Sequence, residues 1–160
     1  MTEPLETCII NLRFPGVYIH MYIDKYKAIG DGLELLTKGD VHAKYTPQEI
    51  ISYLLLPINN NRIRFYYQGT KPIGLVTWCW LSPTKANLFL EDKYSPTDED
   101  YQLENPGSDY QLWGIEFITP YGHASKVMKA IRQEHRELYG TTKVHFRRFY
   151  NRNRLHRRTF

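Results

Sequence analysis

The stretch LWGIEFITPYGHASKVMKAI (residues 112–131) decides the fold, because it predicts a buried strand, a Pro-Tyr-Gly turn and then a helix. We expect the strand to cover 112–119 and the helix to cover 125–139. One carboxylate, that of Glu116, lies inside the apolar strand. A buried carboxylate is expected to have a hydrogen-bonding or charged partner, or a functional role, because burying an unpaired charge costs free energy.

The predicted helix has signals at both ends. Ser125 is its expected N-cap, and Gly140 is placed to end it. A last strand, TKVHFRRFY, should follow at 142–150. The resulting strand–helix–strand unit predicts two parallel strands joined by a right-handed crossover.

The residues before this unit predict helices and antiparallel strands. Thr46, Pro47 and Glu49 form a capping box that begins a helix over 46–58, and Pro57 is expected to end it. The other predicted elements are a strand within 8–24, a small helix at 31–40, a hairpin at 62–82, a short strand at 87–94 and an exposed acidic loop at 95–109. The fold class is therefore α/β (α+β), a single domain with a mixed, mostly antiparallel central sheet flanked by helices.

Length and composition are those of an ordinary globular protein. The 160 residues suffice for one domain with a core, and 42% of them are hydrophobic. No apolar run approaches the roughly 20 residues of a membrane helix, and the N-terminus has no signal-peptide pattern. Cys8 and Cys79 lie outside any metal or redox spacing. We therefore expect a cytoplasmic protein without a bound metal.

Positive charge is concentrated at the C-terminus. The chain carries a formal +4, and residues 143–158 hold seven Lys and Arg and no acid, which leaves 14 basic and 17 acidic side chains elsewhere. Such a tail attracts an acidic partner, which could be nucleic acid, an acidic protein or an anionic cofactor. A solvated, frayed terminus explains the composition equally well.

The turn before the long helix is a second candidate binding feature. Backbone N–H groups at a helix N-terminus favour anions such as phosphate, and Gly122 lets the backbone come close to a ligand. His123 stands beside the turn and could contact a phosphate or a pantetheine. The segment lacks the spaced glycines of a dinucleotide fingerprint or a P-loop, so it does not define a ligand by itself.

Several motifs together resemble one known family. WGIEFITPYG (113–122) resembles the Trp-x-Ile-Asp-Trp-Ile-Ala-Pro-Phe-Gly segment of the RTX toxin-activating lysine acyltransferases. The further matches lie upstream in the same order and are His42 with Lys44-Tyr45, LPI (56–58) and NNNRIRFYYQGTKPIGLVTW (59–78). The resemblance covers roughly residues 30–147, and the Pro-aromatic-Gly turn after the acidic strand is its most specific part.

The resemblance implies a GNAT-like fold and transfer of a fatty acyl group from acyl–acyl carrier protein to the ε-amino group of an internal lysine of a protein. The family's catalytic histidine corresponds to His42, and its catalytic aspartate corresponds to Glu116. An imidazole can take the proton of an attacking lysine, and a carboxylate can orient that imidazole. The implied partners are an acyl carrier protein and a protein substrate such as a protoxin, and a homodimer stays open.

The donor is expected to bind through its phosphopantetheine arm. The residues assigned to donor binding are Gly122, His123, Ala124, Ser125, Arg147 and Arg148. The backbone of the turn would hold the arm, and the arginines with the basic tail would engage the acidic carrier protein. No metal is expected in this chemistry.

The chain departs from the family pattern in four places. Glu116 is one methylene longer than the family's aspartate. An asparagine that some members carry in the helix after the histidine falls at or near Leu54, which can make no hydrogen bond. The N-terminal segment 1–28 is additional, and the C-terminal tail differs from that of the family. We therefore divide the chain into a GNAT-like domain at 1–142, which includes that segment, and a last strand with a basic tail at 143–160.

Three other functions stay open at this level. A lysine acetyltransferase that uses acetyl-CoA or another acyl-CoA on an intracellular protein follows if the departures change the donor. A nucleic-acid-binding module follows from HFRRFYNRNRLHRR (145–158), because its arginines and aromatic residues interleave as in single-strand binders. A protein-binding domain without catalysis follows from the apolar Leu54.

Overall fold

The computed structural model describes residues 9–11, 18–20, 24–140, 143–150 and 154–159, with side chains described within 24–140 and 143–147. The strands form one sheet in chain order and are β1 Ile9–Asn11, β2 Tyr18–His20, β3 Ile63–Gln68, β4 Lys71–Leu81, β5 Gln111–Ile118, β6 His145–Tyr150 and β7 Arg154–Thr159. Neighbouring strands are antiparallel, except that β5 and β6 are parallel. The predicted mixed sheet is therefore confirmed.

The described helices are α1 Lys25–Thr37, α2 Pro47–Ile50, α3 Leu56–Asn59, α4 Pro83–Leu90, α5 Asp98–Gln102 and α6 Ala124–Tyr139. α1 is longer than the predicted helix at 31–40, because the Asp24 carboxylate accepts hydrogen bonds from the amides of Tyr26 and Lys27 and begins the helix there. The alternating residues expected in an N-terminal strand include those of β2. Their neighbours Val17, Met21 and Ile23 lie outside the described residues.

The strand predicted at 87–94 was wrong, because residues 87–90 lie in α4 and residues 91–94 form a turn and irregular backbone. Ser82 accepts a hydrogen bond from the Lys85 amide at 3.3 Å and Pro83 occupies the first turn, so α4 begins with the same kind of signal as α2. Phe89 is buried. A short apolar run does not distinguish a buried strand from a short helix, and here the cap decides.

The exposed loop predicted at 95–109 was wrong in part, because it contains α5. Asp100 is buried within α5, and its carboxylate accepts a hydrogen bond from Lys85 Nζ at 2.7 Å. Tyr101, the next residue, has no exposed surface. The acidic segment therefore folds onto the domain instead of extending into solvent.

The capping box of Thr46 and Glu49 is confirmed, but the helix does not end at Pro57. It passes through a π-helical turn at Ile51–Leu55 and continues as α3. Pro57 has no N–H to donate to the carbonyl five residues earlier in the chain, that of Ser52. The hydroxyl of Tyr101 donates to that carbonyl at 3.0 Å, so the buried acceptor is satisfied.

Two layers of helix cover the sheet. On one face α6 packs against a cluster that includes Trp78, Val127 and Phe146. On the other face, α1 to α5 cover two clusters, one around Phe65 and Leu54 and one that includes Tyr53, Phe89 and Trp113. The second face also holds Glu116 and is the face on which the candidate site is built.

Candidate active site

A β-bulge in β5 decides which way Glu116 points. Thr77 of β4 pairs with Glu116, but the next residue, Trp78, pairs with Gly114, so that Ile115 is the extra residue. Strict alternation would place Glu116 on the face opposite to Ile115. The extra residue brings both side chains to the face covered by α1 to α5.

The amide of Glu116 shows how this bulge is stabilised. It donates a hydrogen bond to the hydroxyl Oγ1 of Thr77 at 3.0 Å, and Thr77 has no exposed surface. The Thr77 side chain therefore satisfies the backbone N–H of Glu116, the residue whose direction the bulge changes. The neighbouring residues confirm the change of side, because Phe117 packs in the cluster under α6 while Ile118 packs in the cluster around Phe65.

A tight turn after α1 places His42 opposite this carboxylate. Residues His42–Lys44 form a 3₁₀ turn, and just before it the amide of Ala43 donates to the carbonyl of Gly39 at 2.9 Å. A Cβ atom at Gly39 would lie 2.6 Å from Nδ1 of His42. The imidazole therefore packs against the backbone at a position where only glycine fits without a shift.

The two predicted catalytic residues meet in the structure. Nε2 of His42 lies 3.2 Å from Oε2 of Glu116, close enough for an ion pair when the imidazole is protonated. The Glu116 side chain is 6% exposed and that of His42 is 23% exposed. A buried carboxylate thus faces a histidine that solvent or a substrate can reach. The catalytic roles of both residues remain predictions.

Tyr45 is a third member of the site, and its role was not predicted from the sequence. Its hydroxyl donates a hydrogen bond to Oε1 of Glu116 at 2.7 Å, and its ring packs edge to face with that of His42 at 5.4 Å between centroids. Burial and the adjacent Glu116 carboxylate raise the pKa of Tyr45 well above its usual range, so the hydroxyl stays a donor. The Lys44-Tyr45 match gave its position but not this contact.

The turn assigned to donor binding differs in one respect from the prediction. His123, and not Ser125, is the N-cap of α6, and its carbonyl accepts from the amides of Lys126 and Val127 at 3.1 Å. Gly122 has a φ of +85°, which a residue with a side chain adopts only under strain. Ala124 and Ser125 are exposed. Whether these residues hold a donor remains a prediction.

Arg147 is placed on the same face as Glu116, but its side chain is only 4% exposed. It donates hydrogen bonds to the carbonyl of Phe89 at 2.8 Å and to Asp92 at 3.0 Å, and its guanidinium lies over the Phe89 ring. Its positive charge acts against the raised pKa of Tyr45. The side chain of Arg148, the second arginine assigned to the donor, lies outside the described residues.

Leu54, at the position of the family's asparagine, lies in the core. It is 1% exposed, and a Cβ atom at Gly32 of α1 would lie 2.5 Å from its Cδ1. The π-helical segment therefore presents an apolar side chain to α1. No polar group from this position takes part in the site.

Among residues 24–140 and 143–147, no cluster of three or more His, Cys, Asp or Glu side chains could hold a metal ion. In the part of the chain that the structure describes, no helix combines the length and the hydrophobicity needed to cross a membrane. The nucleic-acid hypothesis rests on side chains of 145–158, most of which are outside the described set.

Comparison with known proteins identifies relatives. The model of the HlyC family, described as the RTX toxin acyltransferase family, matches residues 21–158. The uncharacterized protein sll0720 of Synechocystis sp. is 28% identical over 108 residues, which is 66% of this chain and 70% of that protein. The family match includes the 3₁₀ turn with His42, the bulged strand with Glu116 and the basic C-terminal strands.

Proposed function

The chain belongs to the RTX toxin acyltransferase family, and on this basis we propose that it moves a fatty acyl group from acyl–acyl carrier protein to a lysine of a protein. Membership makes the protein an enzyme of the toxin-activating acyltransferase type. The donor, the acceptor and a cytoplasmic site of action are the proposed parts. The approach of His42 to Glu116, at 3.2 Å, carries the proposal.

The geometry fits the proton transfers of acyl transfer to an amine. A lysine is protonated at neutral pH and cannot attack a thioester until it loses a proton. The His42 side chain is partly exposed, and because its Nε2 faces Glu116, its second ring nitrogen, Nδ1, is the one proposed to take that proton, while Glu116 orients the ring and balances the charge of the imidazolium that forms. Thr77 and the bulge hold the carboxylate on the correct face.

The reaction balances when one proton is released to solvent. The lysine nitrogen forms a bond to the carbonyl carbon of the thioester, and the bond between that carbon and sulfur breaks. The protonated lysine loses two protons on the way to the amide, one before it attacks and one as the amide forms. His42 passes one of them to the departing thiolate and the other leaves to solvent, so the products are an amide, a free thiol and a proton, and the histidine returns to its neutral form.

The donor is proposed from chemistry and position. A phosphopantetheine arm is anionic, and residues 122–125 span the N-terminus of α6, which favours negative charge. Carrier proteins are acidic, and seven Lys and Arg lie within 143–158. The proposed partners are therefore an acyl carrier protein and a protein with an acceptor lysine, a protoxin or another protein.

Release of thiol from purified donors tests the proposal. Fatty acyl–acyl carrier protein and acetyl-CoA should each be incubated with the wild type and with His42→Ala, together with a candidate acceptor. We expect thiol release from the acyl carrier protein that depends on His42, with the acyl group recovered on a lysine by mass spectrometry. Preference for acetyl-CoA would favour the acetyltransferase alternative.

The melting temperature of His42→Ala controls for folding. Because the His42 side chain is partly exposed, its removal should leave the fold intact. Consumption of neither donor by the wild type would reject the acyltransferase reaction. Equal consumption by both proteins would reject His42 as the base.

A further inference from the structure

We propose that Tyr45 is a positioning residue that fits the longer Glu116 side chain to His42, an inference that rests on the proposed function. The two oxygens of the carboxylate are divided between two partners. Oε1 accepts a hydrogen bond from the Tyr45 hydroxyl at 2.7 Å, and Oε2 lies 3.2 Å from Nε2 of His42. No catalytic contact of Tyr45 with the substrate is needed for this role.

The length of the glutamate explains why a second partner matters. Glu116 has one more rotatable bond than an aspartate, so its carboxylate can occupy more positions and loses more entropy when it is fixed. The Thr77 hydroxyl holds the backbone amide of Glu116 at 3.0 Å. The Tyr45 hydroxyl binds the carboxylate at the other end of the same residue. Glu116 is therefore held at its backbone and at its carboxylate, which fixes the oxygen that faces His42.

Tyr45 also contacts His42 directly, through its backbone and through its ring. Its amide donates to the carbonyl of His42 at 3.2 Å, so the two residues belong to one tight turn. Its ring packs on the imidazole edge to face. A movement of His42 therefore moves the group that positions Glu116, and the three side chains act as one unit.

The hydrogen bond also affects charge. Burial and Glu116 raise the pKa of Tyr45, so its hydroxyl remains protonated and donates to the carboxylate. A donor favours the ionised form of a carboxyl group and draws negative charge toward Oε1. Without it, more of the negative charge would lie on Oε2, and the carboxylate would pair more strongly with the imidazolium form of His42.

Tyr45→Phe, with Tyr53→Phe as a matched control, tests the proposal. Tyr53 packs against Tyr45 at 5.5 Å between ring centroids, but its hydroxyl pairs with Ser95 at 3.0 Å. We expect Tyr45→Phe to lower kcat about tenfold, about 1.4 kcal/mol, with KM within twofold. The acidic limb of its pH–rate profile should move to higher pH. Tyr53→Phe should behave as the wild type.

A second background separates positioning from general packing. Glu116→Asp has a shorter side chain that cannot reach both partners, so Tyr45→Phe in that background should lower kcat less than twofold. Equal losses in both backgrounds would overturn the proposal. So would an unchanged kcat and pH profile of Tyr45→Phe, or equal losses in the two tyrosine variants.

Nitrogen-15 NMR of the His42 ring tests the inference without a donor. At fixed pH, Tyr45→Phe should change the ring nitrogen shifts of His42, and Tyr53→Phe should leave them as in the wild type. A wild type that transfers no acyl group would reject the proposed function, and these shifts would still decide the role of Tyr45. Shifts unchanged in both variants would overturn it.

Discussion

His42 and His135 lie on opposite sides of the sheet, and their surroundings differ in the features that govern proton transfer. His42 keeps 23% of its side chain exposed and has the Glu116 carboxylate 3.2 Å from Nε2. His135 has no exposed surface and packs against the indole of Trp78 at 4.7 Å between ring centroids. Neither of its ring nitrogens has a hydrogen-bond partner among the residues that the structure describes.

This difference shows how one fold leaves one imidazole accessible beside a carboxylate and buries another among apolar side chains. Burial and the positive charges of Arg64 and Arg62 lower the pKa of His135 to about 3, so it is neutral at physiological pH and too weak a base for the reaction. The carboxylate next to it in the chain, that of Glu134, is paired with Arg64 at 2.6 Å. His135 is therefore a residue of the core.

Replacing each of the two histidines by an apolar residue should give the largest difference in kcat/KM. His42→Ala removes the proposed base and should lower kcat/KM about 10²- to 10⁴-fold, with a small change in melting temperature. His135→Leu replaces a buried, unpartnered polar ring by an apolar side chain and should keep kcat/KM within about threefold. Steady-state kinetics with the donor identified as above measures both. A large loss of activity in His135→Leu at unchanged stability would contradict the assignment.

Neutralising the carboxylate of Glu116 should lower activity, whereas neutralising that of Glu134 should lower stability. Glu116→Gln keeps the hydrogen bond from Tyr45 but removes the negative charge opposite His42, and kcat should fall about 100-fold. Glu134→Gln should leave kcat near the wild-type value but lower the free energy of unfolding by about 2–3 kcal/mol, because the buried Arg64 loses its counter-ion. Urea unfolding of both variants checks this. Equal losses of stability in Glu116→Gln and Glu134→Gln would contradict the assignment of Glu134 to stability and of Glu116 to activity.

The elements around the site were predictable to different degrees. The unit of β5, α6 and β6 followed from an apolar strand, a Pro-Tyr-Gly turn and a helix ended by Gly140, all of which are local signals. The meeting of His42 and Glu116 came from the family resemblance. Sequence spacing alone does not bring together two residues that are far apart in the chain.

The bulge at Ile115 and the contact of Tyr45 were not predictable from local pattern. One extra residue in a strand leaves almost no trace in the alternation of apolar residues, yet it reverses the side to which Glu116 points. The hydrogen bond of Tyr45 depends on where β5 lies relative to the turn after α1. Both features arise from tertiary packing, and both lie where the site is built.

The buried histidine should make the protein less stable in acid. A histidine of the unfolded chain titrates near pH 6.5, while the pKa of folded His135 is about 3, so between these values only the unfolded state gains a proton. This contribution to stability is complete above about pH 6.5 and is lost as the pH falls towards 3. At pH 5 the loss is about 2 kcal/mol.

Urea unfolding of the wild type and of His135→Leu at pH 7 and pH 5 measures this contribution. The stability difference between the two pH values should be smaller in His135→Leu by about 2 kcal/mol. Burial also raises the pKa of Glu134, but that group is present in both proteins and its effect cancels in the comparison. The same pH dependence in both proteins would contradict the buried, neutral state of His135.

The smallest effect concerns two glycines, Gly39 beside His42 and Gly30 on the exposed side of α1. A Cβ atom at Gly39 would lie 2.6 Å from Nδ1 of His42, whereas a Cβ atom at Gly30 of α1 would meet nothing within 4 Å. Gly39→Ala should shift the imidazole away from Glu116 and lower kcat about tenfold, because a small misplacement of a catalytic group costs rate. Gly30→Ala should keep kcat and stabilise the exposed helix by about 0.5–1 kcal/mol. A Gly39→Ala variant with wild-type kcat would mean that the turn yields instead of the imidazole, and that the position of the base is set by Glu116 and Tyr45 alone.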